Sequence, residues 1–178
     1  MKTKKNIYHR PFNSMRILML LVLAALLMPE LSAQRGKSNF SGTWALNESK
    51  SDFGNSQFRM GASEIIILQK GKELTDDRTY MGFDGNEIKL SDKYTLDGKE
   101  CENEGMWEST KKSTLSWSDD KKSLIISSTV YFNMNGEDME IEISETWKLA
   151  DDGKALIIES VFPTPEGEMK TVLHYDKK

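Results

Sequence analysis

A chain of 178 residues with 24 basic and 28 acidic side chains has room for one domain, or two small ones at most. Five of the bases (Lys2, Lys4, Lys5, Arg10, Arg16) and one acid (Glu30) precede residue 34, so the remaining 145 residues hold 19 bases and 27 acids, a formal charge of −8. That balance repels nucleic acid and anionic lipid. A single cysteine, Cys101, allows no internal disulfide, and beyond the first 33 residues only His174 could join it, which is too few ligands for a zinc site.

The first element in chain order is a leader. After the basic stretch, residues 17–28 form an unbroken apolar run. It is too short for the ~30 Å hydrocarbon core of a bilayer. Pro29 ends a helix, and Leu31, Ser32 and Ala33 place small residues at a cleavage point. The expectation is a signal-peptide helix over 1–33, cut after Ala33, and a single domain over 34–178. The product would be secreted or periplasmic, with no stable membrane span once the leader is removed.

Past the leader the pattern is period-2 alternation rather than helical periodicity. It predicts nine strands, at 39–47, 63–70, 73–81, 87–96, 111–118, 122–133, 138–150, 154–163 and 168–176. The clearest is 139–149, where Met139, Ile141, Ile143, Trp147 and Leu149 alternate with Glu140, Glu142, Ser144, Thr146 and Lys148. One face belongs to a core and the other to water. Between the strands lie Gly71-Lys72, Asp84-Gly85-Asn86, Asp97-Gly98, Asn135-Gly136 and Asp151-Asp152-Gly153, residues that tolerate turn conformations. The last five strands follow one another through short turns, which makes a meander. An antiparallel up-and-down barrel removes the two edges that a flat sheet would expose; a two-sheet sandwich is the rival. Two longer segments, 47–63 and 98–110, read as loops that cover or plug an end.

Phe40-Ser41-Gly42-Thr43-Trp44 opens the first strand, and Glu145-Thr146-Trp147-Lys148-Leu149 precedes Asp151-Asp152-Gly153. Together with the meander and the long loop after the first strand, these residues resemble a bacterial secreted lipocalin-like domain of the calycin type. The resemblance implies that Trp44 closes the base of the barrel and that Gly42 admits a close chain crossing there. In lipocalins an arginine late in the chain stacks over that tryptophan. No arginine follows Arg78 here, which leaves the place to a lysine such as Lys170 or Lys177.

Candidate site residues are the polar groups on apolar faces. Glu145 falls between Ile143 and Trp147, and Asp76 and Arg78 share a face with Leu74 and Tyr80. A charge in such a place must be paired or change its protonation. Two readings stand: an internal ion pair that fixes register, or groups that orient a ligand. Arg78, Tyr80, Trp117, Phe132, Glu145 and Trp147 are the candidate ligand-binding set; the other tryptophans, Trp44 and Trp107, read as core. No Gly-x-Ser-x-Gly elbow is present to pair with His174. The expected function is a non-enzymatic binding protein, without cofactor or metal, that holds a small, largely apolar ligand in the barrel beneath residues 48–62. A filled-barrel interaction module of the envelope is the alternative, and an enzyme on the same barrel the third reading.

Overall fold

The described residues form ten strands, one more than the nine that alternation predicts. The computed structural model describes residues 36–55, 59, 61–165 and 167–178; the expected signal peptide, and Phe58 and Met60 of the long loop, lie outside these residues. The strands are β1 (Gly42–Leu46), β2 (Glu64–Lys70), β3 (Glu73–Met81), β4 (Glu87–Thr95), β5 (Cys101–Glu104), β6 (Thr110–Trp117), β7 (Ser123–Met134), β8 (Glu137–Ala150), β9 (Ala155–Thr164) and β10 (Gly167–Lys177). Short 3-10 turns occupy Glu48–Lys50, Met106–Glu108 and Asp151–Gly153.

The additional strand is β5, inside the segment expected to be a loop. Its register on β6 sets Glu102 opposite Lys112 and Cys101 opposite Ser113. Opposite charges across a strand pair are favourable, and the acids that made 98–110 look like a loop are part of that pairing.

All pairings are antiparallel, in the order β4-β3-β2-β1-β10-β9-β8-β7-β6-β5. The first strand joins the last, with Trp44 opposite Lys177, so the meander curls into a single up-and-down barrel rather than a sandwich. The seam lies between β4 and β5. There the Asn103 side chain accepts from the Lys93 N–H (2.9 Å) and donates to the Lys93 carbonyl (3.2 Å). One amide thus replaces a rung of the missing ladder and nearly closes the wall. At the β7–β8 hairpin, Asn135 and Gly136 both have positive φ (55° and 89°), the twist that a two-residue turn requires.

One end of the barrel is packed solid. Phe40, Trp44, Leu74, Leu124, Trp147 and Leu156 are buried there. The Trp44 indole donates to the Phe40 carbonyl (3.1 Å), and the Phe40 ring meets Trp117 at 6.2 Å and Trp147 at 6.4 Å. Lys177 lies over Trp44, its Nζ 5.2 Å from the ring centroid. A Cβ at Gly42 would stand 3.0 Å from the Lys177 stem and 3.4 Å from the Trp44 ring. The missing side chain is what lets lysine, glycine and tryptophan cross at this point.

Two tryptophan and methionine positions differ from expectation. Trp107 is not core: it is 78% exposed, with a φ of 55°, in the turn between β5 and β6. Met139 lies on the inward side of β8 but is 44% exposed. The reason is overhang. β8 pairs with β9 only from Ser144 onward, so its first half, hydrogen-bonded to β7 alone, extends past the core.

Candidate ligand site

The site begins with two adjacent inward rows. On β3 the inward residues are Leu74, Asp76, Arg78 and Tyr80, and on β4 they are Leu90, Asp92 and Tyr94, with Asp76 directly opposite Asp92. Across the barrel, β8 contributes Ile141, Ile143 and Glu145. Arg78 spans the interior. Its Nη1 and Nη2 donate to the two oxygens of Glu145 (3.0 and 2.7 Å), and its Nε donates to Asp76 (2.8 Å). The fork geometry of guanidinium suits such a two-pronged contact. The Trp147 indole N–H also donates to Glu145 (2.8 Å), and the Arg78 guanidinium lies 5.3 Å from the centre of that indole. A second pair completes the network: Lys111 on β6 donates to Asp92, which also accepts from the Tyr94 hydroxyl (3.0 Å).

Above this polar floor lies a cavity of about 590 Å³. Its walls come from β3 and β4 on one side and from β6, β7 and β8 on the other, with Met106 and Trp107 at the rim. Ile126, Val130, Phe132, Ile141 and Ile143 make most of it apolar; Arg78, Tyr80, Lys111 and Glu145 gather at its polar end. A second cavity of about 570 Å³ lies at the same mouth, bordered by Phe53, Arg59, Phe83 and Ile88, and shares Tyr80, Met106 and Trp107 with the first.

Environment separates the two carboxylates that hold Arg78. Burial raises Asp76, against the pull of the guanidinium, to about 6. Burial acts on Glu145 in the same sense, but the Arg78 charge and the hydrogen bonds from Arg78 and Trp147 outweigh it and bring the group down to about 2. The signs of the stability effects are therefore opposite. Glu145, lowered from 4.5, stabilises the fold above that value and loses the contribution as pH falls toward 2. Asp76, raised from 3.8, holds a proton that the unfolded chain has released, so its contribution is lost as pH rises from about 4 to about 6. Each of these displacements is worth about 3 kcal/mol. Relative to the Asp76→Asn variant, the wild type should therefore lose melting temperature between about pH 4 and 6, while both keep the acid limb. A melting-temperature difference between the two that stays constant through that interval would contradict the Asp76 assignment.

Of the residues singled out by sequence, Arg78, Tyr80, Phe132 and Glu145 line the cavity. Trp117 and Trp147 point inward but do not line it; both pack against Phe40 in the filled end. Gly42 and Trp44 lie at the base. The main residues that the sequence reading passed over are Asp92 and Lys111. The signal was there: Leu90, Asp92 and Tyr94 alternate as Leu74, Asp76 and Arg78 do, and Lys111 precedes Ser113 and Leu115 at the same spacing. Among the described residues, no group of three or more His, Cys, Asp or Glu side chains is arranged to hold a metal ion, and no helix is long and apolar enough to cross a membrane.

A ten-stranded, nearly closed, up-and-down antiparallel barrel with a partly open interior defines a calycin-type fold. Among solved structures, the chain is similar to zebrafish ileal bile acid-binding protein complexed with cholic acid. The TM-score is 0.52 and the identity 17%, over 79% of this chain and 100% of that one. At that identity the likeness is one of fold. No family model and no curated protein matches the sequence.

Proposed function

We propose that the protein is an exported, bacterial, lipocalin-like carrier that holds a small, largely apolar ligand and catalyses no reaction. The cavity carries this reading. A barrel used only as a scaffold would be filled along its length, as the Trp44 end is. Here about 590 Å³ stays open above the packed layer, within the roughly 300–1,000 Å³ of small-molecule sites. Its walls are apolar and its charged groups are confined to one end, the arrangement that orients an amphiphilic molecule. Arg78, Tyr80, Glu145 and Phe132 are the proposed contacts. The fold neighbour's complex with cholic acid supports small-molecule binding by a barrel of this architecture. Export rests on the basic residues, the apolar run 17–28 and the small residues up to Ala33.

One experiment tests both halves. The gene product, expressed with its leader in a bacterial host, is purified gently and weighed by native mass spectrometry. The expected species begins at Gln34 and carries a lipid-sized adduct that is released on activation. A mass that retains Met1 on the exported protein overturns the leader. A bare protein that also takes up no apolar fluorophore overturns the carrier and favours the filled module.

A further inference from the structure

The polar end of the cavity brings together three carboxylates, Asp76, Asp92 and Glu145, and two cations, Arg78 and Lys111. Both cations are matched. Arg78 lies between Asp76 and Glu145, and Lys111 is on Asp92. With all five ionised, the cluster keeps one excess negative charge. The tyrosines that face it, Tyr80, Tyr94 and Tyr175, add none, because burial raises each hydroxyl.

Two buried carboxylate oxygens there also lack a donor. Asp76 and Asp92 are only 1% and 2% exposed, yet Asp76 Oδ1 and Asp92 Oδ1 have no hydrogen-bond partner among the described residues. Above them, in the cavity wall, Glu145 Oε2 accepts from both Arg78 and Trp147, whereas among the described residues Oε1 accepts only from Arg78. A carboxylate oxygen has two acceptor sites, so Oε1 keeps one. Buried acceptors without donors are costly. An anion brought to this floor would meet a net negative group in a low dielectric, with no unmatched cation to receive it.

We propose that this end of the cavity selects ligands whose polar head donates hydrogen bonds and carries no negative charge, an alcohol or an amine, and rejects carboxylate heads. The inference rests on the carrier reading above and adds the head-group class. The head donates to Glu145 Oε1, and the alkyl part lies along Ile126, Val130, Phe132 and Ile141.

The test is displacement of a neutral fluorophore, Nile red, from the purified protein. The competitors are dodecanol, dodecylamine and dodecanoate, used below their micellar concentrations. At about pH 8 Asp76 and the dodecanoate are both ionised. The alcohol or the amine should displace the dye at a concentration about tenfold or more below that of dodecanoate. Whichever of the two is stronger identifies the head as neutral or cationic. Glu145→Gln removes the excess charge and should reduce the preference over dodecanoate by about tenfold. Dodecanoate that binds as tightly as either rival overturns the inference, as does a preference unchanged in Glu145→Gln. Should that variant not fold, the wild-type order alone decides. Failure of Nile red and all three amphiphiles to bind is a different result: it removes the carrier reading, and the head-group assignment with it.

Discussion

Replacing Arg78 by methionine is expected to lower folding stability by about 3–5 kcal/mol, the cost of stranding buried charges by removing their partner. Methionine fills much of the space and can still lie against the Trp147 ring, so lost packing is a minor part. The main effect is electrostatic. Among the described residues, removal of the guanidinium leaves Glu145 with the Trp147 N–H alone and takes from Asp76 its one hydrogen-bonded partner while it remains beside Asp92. Three carboxylates would then share one interior with Lys111 as the cation in contact. The measurement is urea unfolding near pH 7. Two further variants separate charge from shape. Arg78→Lys keeps the charge but cannot form the fork, and should fall between wild type and Arg78→Met. Adding Glu145→Gln to Arg78→Met removes one stranded charge and should recover part of the loss, so the two changes should be strongly non-additive. A loss below about 1 kcal/mol in Arg78→Met would mean that the pair behaves as a solvated surface bridge.

The direction of Glu145 was legible because β8 alternates without interruption. A one-residue slip would turn Ile143 and Trp147 to water, so a carboxylate between them had to face inward. Its partner was narrowed by the same rule, since Arg78 lies on the inward side of β3. Height along the barrel axis was not legible. Trp117, Trp147 and Phe132 all face inward, yet only Phe132 reaches the cavity. Register separates them: Trp117 pairs with Leu124 and Leu124 with Trp147, one layer that also contacts Phe40, while Phe132 is eight residues farther along β7 than Leu124. That registration joins strands across the whole sheet and has no local signature. The same holds for β5. Four residues with two acids look like loop until Lys112 is known to lie opposite Glu102. Asp92 and Lys111 illustrate a third case. Alternation placed each on an inward face, but their contact crosses the seam between β4 and β5, where no ladder connects the strands.

Trp44→Ala should cost about 3–5 kcal/mol, the usual range for truncating a buried tryptophan. The indole is 1% exposed, between β2 and β10 in the sheet and under Lys177. Removing it opens a void at the packed end, and the Phe40 carbonyl, itself in the core, loses the donor at 3.1 Å. An unpaired buried carbonyl adds its own penalty. Trp44→Phe fills most of the void without restoring that donor and should retain part of the stability. Thermal melting and urea unfolding measure the loss. Ligand affinity provides the contrast, because the cavity is walled by β3, β4, β6, β7 and β8, and β1 contributes nothing to it. Well below its melting temperature, the Trp44→Ala protein should therefore bind Nile red within about twofold of wild type, as expected for a distant, independent site. Unchanged melting would show that Trp44 does not close the base of the barrel. A large loss of dye binding in protein that is still folded would show that the packed end and the cavity are one coupled unit.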